Sequence, residues 1–344
     1  MKKAIVVIVA SVVILGLIIG GCAQPAPAPA PTPTPTPPPE VIKWKVQSWA
    51  GATYQSRLMI ESAMDKLKAS GRFEFDYLPG EMLMTAKEAF DGLREGVLNM
   101  AITSGGYHID RMGAVGEIEW MPLNFEYEKF VAHYRDPGGF FDFSQPAWAK
   151  MGLRLLAYQK TTPGNLLSTT RPVRTLEDMK GLMHRDPGAY AEWLKLLGAV
   201  PISISSAELY EGFQRGVVEG HTGSLSSYMS QKWYEVAPYV SKIDWIAGGM
   251  SVAMNLDDYN GLPADARALL DQAILEADAE GFEIGRQQAT ELFKEGEAVG
   301  VTFIDMSPQE MARWEAAIQP YFDNLGAKYG AEWTELMKIR ATLK

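Results

Sequence analysis

Four histidines, at 108, 133, 184 and 221, and one cysteine, at 22, are the first residues to test for metal or nucleophilic chemistry. No two histidines fall in an HExxH or similar close pair, the spacing that lets one helix face present two imidazoles to zinc. No GxSxG elbow exposes a serine, and no GxGxxG or Walker loop offers backbone amides to a phosphate. Glu117 with Glu119, and Asp257 with Asp258, are spaced like solvated strand or turn residues, so only a carboxylate pair assembled from distant segments would leave room for a hydrolase. Arg185 offers different chemistry. A guanidinium is a planar fork that grips a carboxylate through two parallel charge-assisted hydrogen bonds, where a lysine supplies only a point charge.

The elements around these residues repeat. Ile42, Trp44 and Val46 alternate as a strand, and Thr53 is placed to cap a helix whose stripe is Met59, Ala63, Met64 and Leu67. Phe73, Phe75 and Tyr77 alternate again. A capping box, Thr85-x-x-Glu88, opens a helix to Gly96, and a strand is expected over Val97–Thr103. The same grammar returns with a strand at Leu182–Arg185, a helix to Gly198, a strand at Val200–Ile204, a box at Ser205-x-x-Glu208, a helix to Gly216 and a strand from Val217. Two βαβαβ units follow. Open α/β sheets bind ligands beyond the carboxyl ends of their strands. That places Ser48, Trp49 and Ser104–Tyr107 of the first unit, and Arg185 and His221–Ser224 of the second, around one crevice.

The remaining segments bound the answer. Helix-favouring residues run from Pro263 to about Ala298, long enough to cross two lobes, with Gly281 and Gly285 as candidate bends. Ser307-x-x-Glu310 reads as a further capping box, opening a helix with Met311, Trp314, Ile318 and Tyr321 as its apolar stripe. At the start, Lys2 and Lys3 precede an apolar run from Ala4 to Ile19, the layout of a secretory signal. Pro25–Pro39 holds nine prolines, a polyproline II spacer. With 32 basic and 42 acidic side chains the net charge is −10, which argues against general nucleic-acid binding. The expected fold is α/β, two lobes around an interlobe cleft with a long helix bridging both. Lobe I takes residues 41–162 and 251–290, and lobe II takes 163–250 and 291–344. Residues 1–21 are the signal and 22–40 the cysteine and linker. The hinges are expected near Thr162–Asn165 and Gly249–Ser251.

Six motifs, in order, carry a family resemblance. Trp44-Lys45-Val46-x-Ser48-Trp49, Leu78-Pro79-Gly80-Glu81, Arg94-Glu95-Gly96-x-x-Asn99-Met100, Met179-Lys180-Gly181-Leu182-x-x-Arg185, Gly198-Ala199-x-Pro201 and Glu208-x-Tyr210-x-x-x-Gln214-x-Gly216-Val217-Val218-Glu219-Gly220 resemble the extracytoplasmic substrate-binding proteins of TRAP transporters, the DctP type, with a type II-like periplasmic-binding-protein fold. The resemblance implies a receptor, not an enzyme, that closes on a small organic acid and delivers it to a membrane permease, and no cofactor is expected. It implies that Arg185 pairs with the ligand carboxylate. Asn165 stands where the family often has a second arginine, which points to a mono- or keto-acid more than a dicarboxylate. Gly223 replaces a larger side chain and is expected to leave room. Trp49 and Tyr107 are candidate walls, and His221 flanks the same crevice. The positions of Thr222 and Ala247, acidic in metal-assisted members, are not acidic here. Ile19-Gly20-Gly21-Cys22 resembles a lipobox, which implies lipidation of Cys22 and a body tethered outside the cytoplasmic membrane. The alternatives are a lipid-anchored interaction or cell-envelope protein without a small ligand, and an extracytoplasmic hydrolase.

Overall fold

The computed structural model describes residues 40–343, except 53, 81, 120, 123–125, 161–165, 187–189, 207 and 244–248. The expectations for the signal segment, Cys22, the proline spacer, Thr53, Thr162–Asn165 and Ala247 therefore lie outside the described residues.

Eleven described strands form two sheets. The first contains β1 (Ile42–Ser48), β2 (Phe73–Pro79), β3 (Met100–Thr103), β4 (Leu153–Lys160) and β10 (Gly249–Asn255), in the order β2-β1-β3-β10-β4. The second contains β5 (Leu166–Thr169), β6 (Met183–Asp186), β7 (Val200–Ser203), β8 (Gly220–Gly223), β9 (Tyr239–Lys242) and β11 (Thr302–Asp305), in the order β7-β6-β8-β5-β9-β11. The first five positions of the two orders correspond, and the second sheet adds β11 at its edge. Each sheet has three parallel strands followed by an antiparallel one, and that antiparallel strand is where the chain enters from the other sheet, β4 leading to β5 and β9 to β10.

The repeat extends to single hydrogen bonds. Val97 N and Leu98 N both donate to Gly92 O, and Val217 N and Val218 N both donate to Gly212 O. Gly96 and Gly216 adopt φ of 70° and 68°, a left-handed turn that glycine makes without a Cβ penalty. Lys45 N donates to Asn99 Oδ1, as Met183 N does to Glu219 Oε2. This geometry corrects the expected strand starts. Val97 and Val217 are exposed because their amides still close the preceding helix, and pairing with the sheet begins only at Met100 and Gly220.

The capping box Thr85–Glu88 forms as expected, and Ser205 and Glu208 bond reciprocally in the same way. Ser307 accepts from Glu310 N, but the Glu310 carboxylate is drawn to Leu176 N and Arg313, so that box is half made. A single helix, Ala264–Ala298, buries Leu270, Ile274 and Ala277 in the first sheet's core and packs Leu292 and Phe293 on the second's. Gly281 has a packing role in it. A Cβ there would lie 2.5 Å from Gln159 Oε1, so glycine lets the helix approach β4. The C-terminal helix Ala331–Thr342 contacts the helices Ala114–Ile118 and Phe140–Lys150, so this end of the chain also touches first-sheet elements. Among the described residues, no helix is long and apolar enough to cross a membrane.

Candidate ligand-binding site

Arg185 is the third residue of β6. Its neighbours on the strand, His184 and Asp186, are buried, while Arg185 itself is half-buried. Strand alternation sends His184 to one face, where its ring meets Trp193, and Arg185 to the other. The Arg185 Nε donates to the Ile204 carbonyl at 3.1 Å, which fixes the side chain without neutralising it. Among the described residues no carboxylate lies in ion-pair range of the guanidinium. Burial lowers its pKa, while Tyr190, Asp186 and Tyr107 lie near enough to favour the charge. Tyr107 belongs to the first sheet's turn Gly105–His108, so the structure brings residues of both units to one place.

His221 stands beside Arg185. The pairing of His184 with Gly220 sets the next residues of the two parallel strands, Arg185 and His221, side by side. Burial first, and then the charge of Arg185, hold the His221 imidazole well below its ordinary pKa. Its ring meets Trp233 edge-on at 4.9 Å, and among the described residues its Nδ1 has no hydrogen-bond partner. Gly223 does not leave the room expected of it. A Cβ there would lie 2.5 Å from His221 Nε2, so the imidazole fills that space. His184 is saturated structurally. Its Nδ1 lies 2.7 Å from the Arg185 carbonyl and must donate to it, so Nε2 accepts from Thr222 Oγ1 at 2.8 Å, and burial holds the pKa down at about 3.

Trp49 follows β1 and packs its ring 5.6 Å from Tyr54. Its indole Nε1 is buried without a partner among the described residues, a donor that a bound molecule could satisfy. Tyr54 and Tyr107 both add to the upward push of burial on the Tyr190 hydroxyl, which ties the Trp49 side of the crevice to the Arg185 side. Tyr54, Tyr190 and Lys160 were not singled out in the sequence. Tyr190 carries a local signal, since Asp186 Oδ1 accepts its amide just after the arginine motif. Lys160 ends β4 fully buried, its ammonium 5.6 Å from the Tyr127 ring centre.

Glu117 and Glu119 correct the sequence reading. Both are buried, at 8% and 3% exposure, not solvated. Glu117 receives Lys328 and the Tyr329 and Tyr321 hydroxyls. Glu119 accepts from the Ser104 hydroxyl, from Gly106 N at 3.1 Å and from the Ser251 hydroxyl at 2.8 Å, and burial pushes its pKa up to about 7. Among the described residues, no group of histidine, cysteine and acidic side chains is arranged to hold a metal ion.

Two like α/β units and a guanidinium anchored by the backbone beside Tyr107 are the frame against which the relatives compare. The chain belongs to the bacterial extracellular solute-binding proteins of family 7, the DctP family, whose model matches residues 57–328. That family consists of receptors, not enzymes. The C4-dicarboxylate-binding periplasmic protein DctP of Rhodobacter capsulatus is 25% identical over 278 residues, 78% of this chain and 81% of that one. A TRAP periplasmic solute-binding protein of Ochrobactrum anthropi, with its C-terminus bound in its ligand pocket, superposes with a TM-score of 0.81 at 23% identity, covering 88% of this chain and 95% of that one. DctP7 of Bordetella pertussis, a receptor binding pyroglutamic acid, gives 0.76 at 19% identity over 88% of this chain and all of the other. At these identities the two structures establish the fold.

Proposed function

We propose that this receptor binds a small monocarboxylic or keto acid between its two lobes and hands it to a TRAP permease. The observation that carries the reading is Arg185. It is a half-buried guanidinium at the carboxyl end of β6, anchored through Nε to Ile204 O and facing Tyr107 from the other lobe. A single arginine matches one carboxylate head. Trp49 Nε1 offers a second fixed donor, suited to a neutral acceptor on the acid, and Tyr107 closes the wall between them. His221, held neutral, shapes the floor and keeps Gly223 small, and the family resemblance alone adds Asn165 to the ligand contacts.

Hinge motion near Thr162–Asn165 and Gly249–Ser251 would open and close the site. Cys22 would carry the lipid that tethers the receptor outside the cytoplasmic membrane. Native mass spectrometry of the purified protein, followed by calorimetric titration with pyroglutamate, pyruvate, galacturonate and succinate, tests the ligand class. A monocarboxylate bound at micromolar or tighter Kd supports it. Preference for succinate, or no binding throughout, counts against it.

A further inference from the structure

Glu119 closes the short helix Ala114–Ile118 at the back of the turn that carries Tyr107. The contact is built in. A Cβ on Gly116 would lie 2.9 Å from the Gly105 carbonyl oxygen, so only glycine lets this helix lie against that turn. Glu119 Oε2 meets Ser104 Oγ and Gly106 N within the turn, and Oε1 meets Ser251 Oγ on β10, three residues past the crossing 244–248. One carboxyl group thus ties the Tyr107 wall to the strand on which the chain re-enters the first sheet.

We propose that Glu119 is a proton-linked positioning residue: the neutral acid holds the Tyr107 turn in its ordered place over the crevice, and ionisation favours states in which that turn lifts and water reaches the carboxylate. A buried carboxylate held only by hydroxyl and amide donors is poorly compensated for the loss of water. Among the described residues no cation lies in ion-pair range of Glu119. The titratable groups around it give no compensation. Tyr158 of β4 is neutral, its hydroxyl pushed well up by burial and by Glu119 itself. His108 of the turn faces Lys87 O and Arg111, and burial lowers its pKa. Glu117 of the same helix turns to Lys328 and Tyr329, and Ser251 brings only a hydroxyl. With the acid neutral, Ser104, Gly106 and Ser251 remain its partners and no buried charge is left to compensate.

The sign follows from linkage. The ordered turn holds its proton up to about pH 7, whereas a hydrated glutamate releases it near 4.5, so ordering is favoured as pH falls from 8 to 6, by about tenfold. This rests on the receptor reading only where ligand affinity is concerned. Hydrogen exchange of the segment 104–108 in the ligand-free protein tests it separately. Protection, corrected for intrinsic rates, should rise about tenfold from pH 8 to pH 6 in the wild type. In Glu119→Gln, an isostere of the neutral acid, it should stay at the pH 6 level at both pH values, and in Glu119→Ala it should be lost at both. Pyroglutamate titrated as a probe should show the same pH dependence in its Kd. If pyroglutamate fails to bind, only the ligand assignment is touched. Wild-type protection that is flat with pH, or an unchanged pH profile in Glu119→Gln, would overturn the proposal.

Discussion

Arg185 and His221 face the same way from adjacent parallel strands, and burial together with the guanidinium charge keeps the imidazole neutral. His184 is neutral for a related reason, with a donor and an acceptor role already fixed by Arg185 O and Thr222. Neither ring should titrate between pH 5 and pH 8, and histidine ring resonances followed by NMR check this directly. Both pKa values are depressed, so the unfolded chain takes up protons below about 6.5 that the folded chain refuses. His184, held at about 3, should therefore cost roughly 2 to 3 kcal/mol of stability by pH 4.5, and His221 adds in the same direction. Glu119 acts in the opposite sense between pH 7 and 4.5. In a Glu119→Gln background, the fall in urea-unfolding stability between pH 6.5 and 4.5 should be steeper than in the wild type.

Gly223 is small because the His221 ring occupies its side-chain space. Gly223→Ala places a methyl 2.5 Å from Nε2, and its φ needs no left-handed turn, so the strain is purely steric. Overpacking of this kind typically costs about 1 to 3 kcal/mol. A lowered Tm should be accompanied by weaker acid binding, because the displaced imidazole moves toward Arg185. Unchanged stability would show that His221 has room to move.

Gly281→Ala probes the long helix. Its methyl would meet Gln159 Oε1 at 2.5 Å and Met59 Cβ at 3.0 Å, breaking a chain in which Gln55 donates to Gln159 and Gln159 donates to Asp278. A loss of about 1 to 3 kcal/mol is expected in denaturant unfolding. Were Gly281 only a point of bending, alanine would instead raise helix stability by about 1 kcal/mol.

The two α/β units were legible because the sequence repeats its punctuation. A capping box, a glycine eleven residues later and a valine after it mark the same turn twice, and the structure reproduces even the paired hydrogen bonds to Gly92 and Gly212. What the pattern hid was where each strand starts, since a valine that still closes a helix reads like one in a sheet. Arg185 stood out through its motif. Glu119 did not, because nothing in its spacing distinguishes it from a solvated acid. Its burial comes from a turn 13 residues earlier in the chain and a strand 132 residues later. Gly223 misled for the same reason, since a missing side chain says nothing of what fills the gap.

The central claim is that Arg185 grips the ligand carboxylate. Calorimetric titration of the wild type and Arg185→Ala with the acid that binds the wild type most tightly tests it, with circular dichroism showing that the variant is folded. Leaving a desolvated carboxylate without its partner should cost about 2 to 5 kcal/mol, a loss of roughly 30-fold to several-thousand-fold in affinity. A folded Arg185→Ala protein that binds that acid as tightly as the wild type would contradict the account.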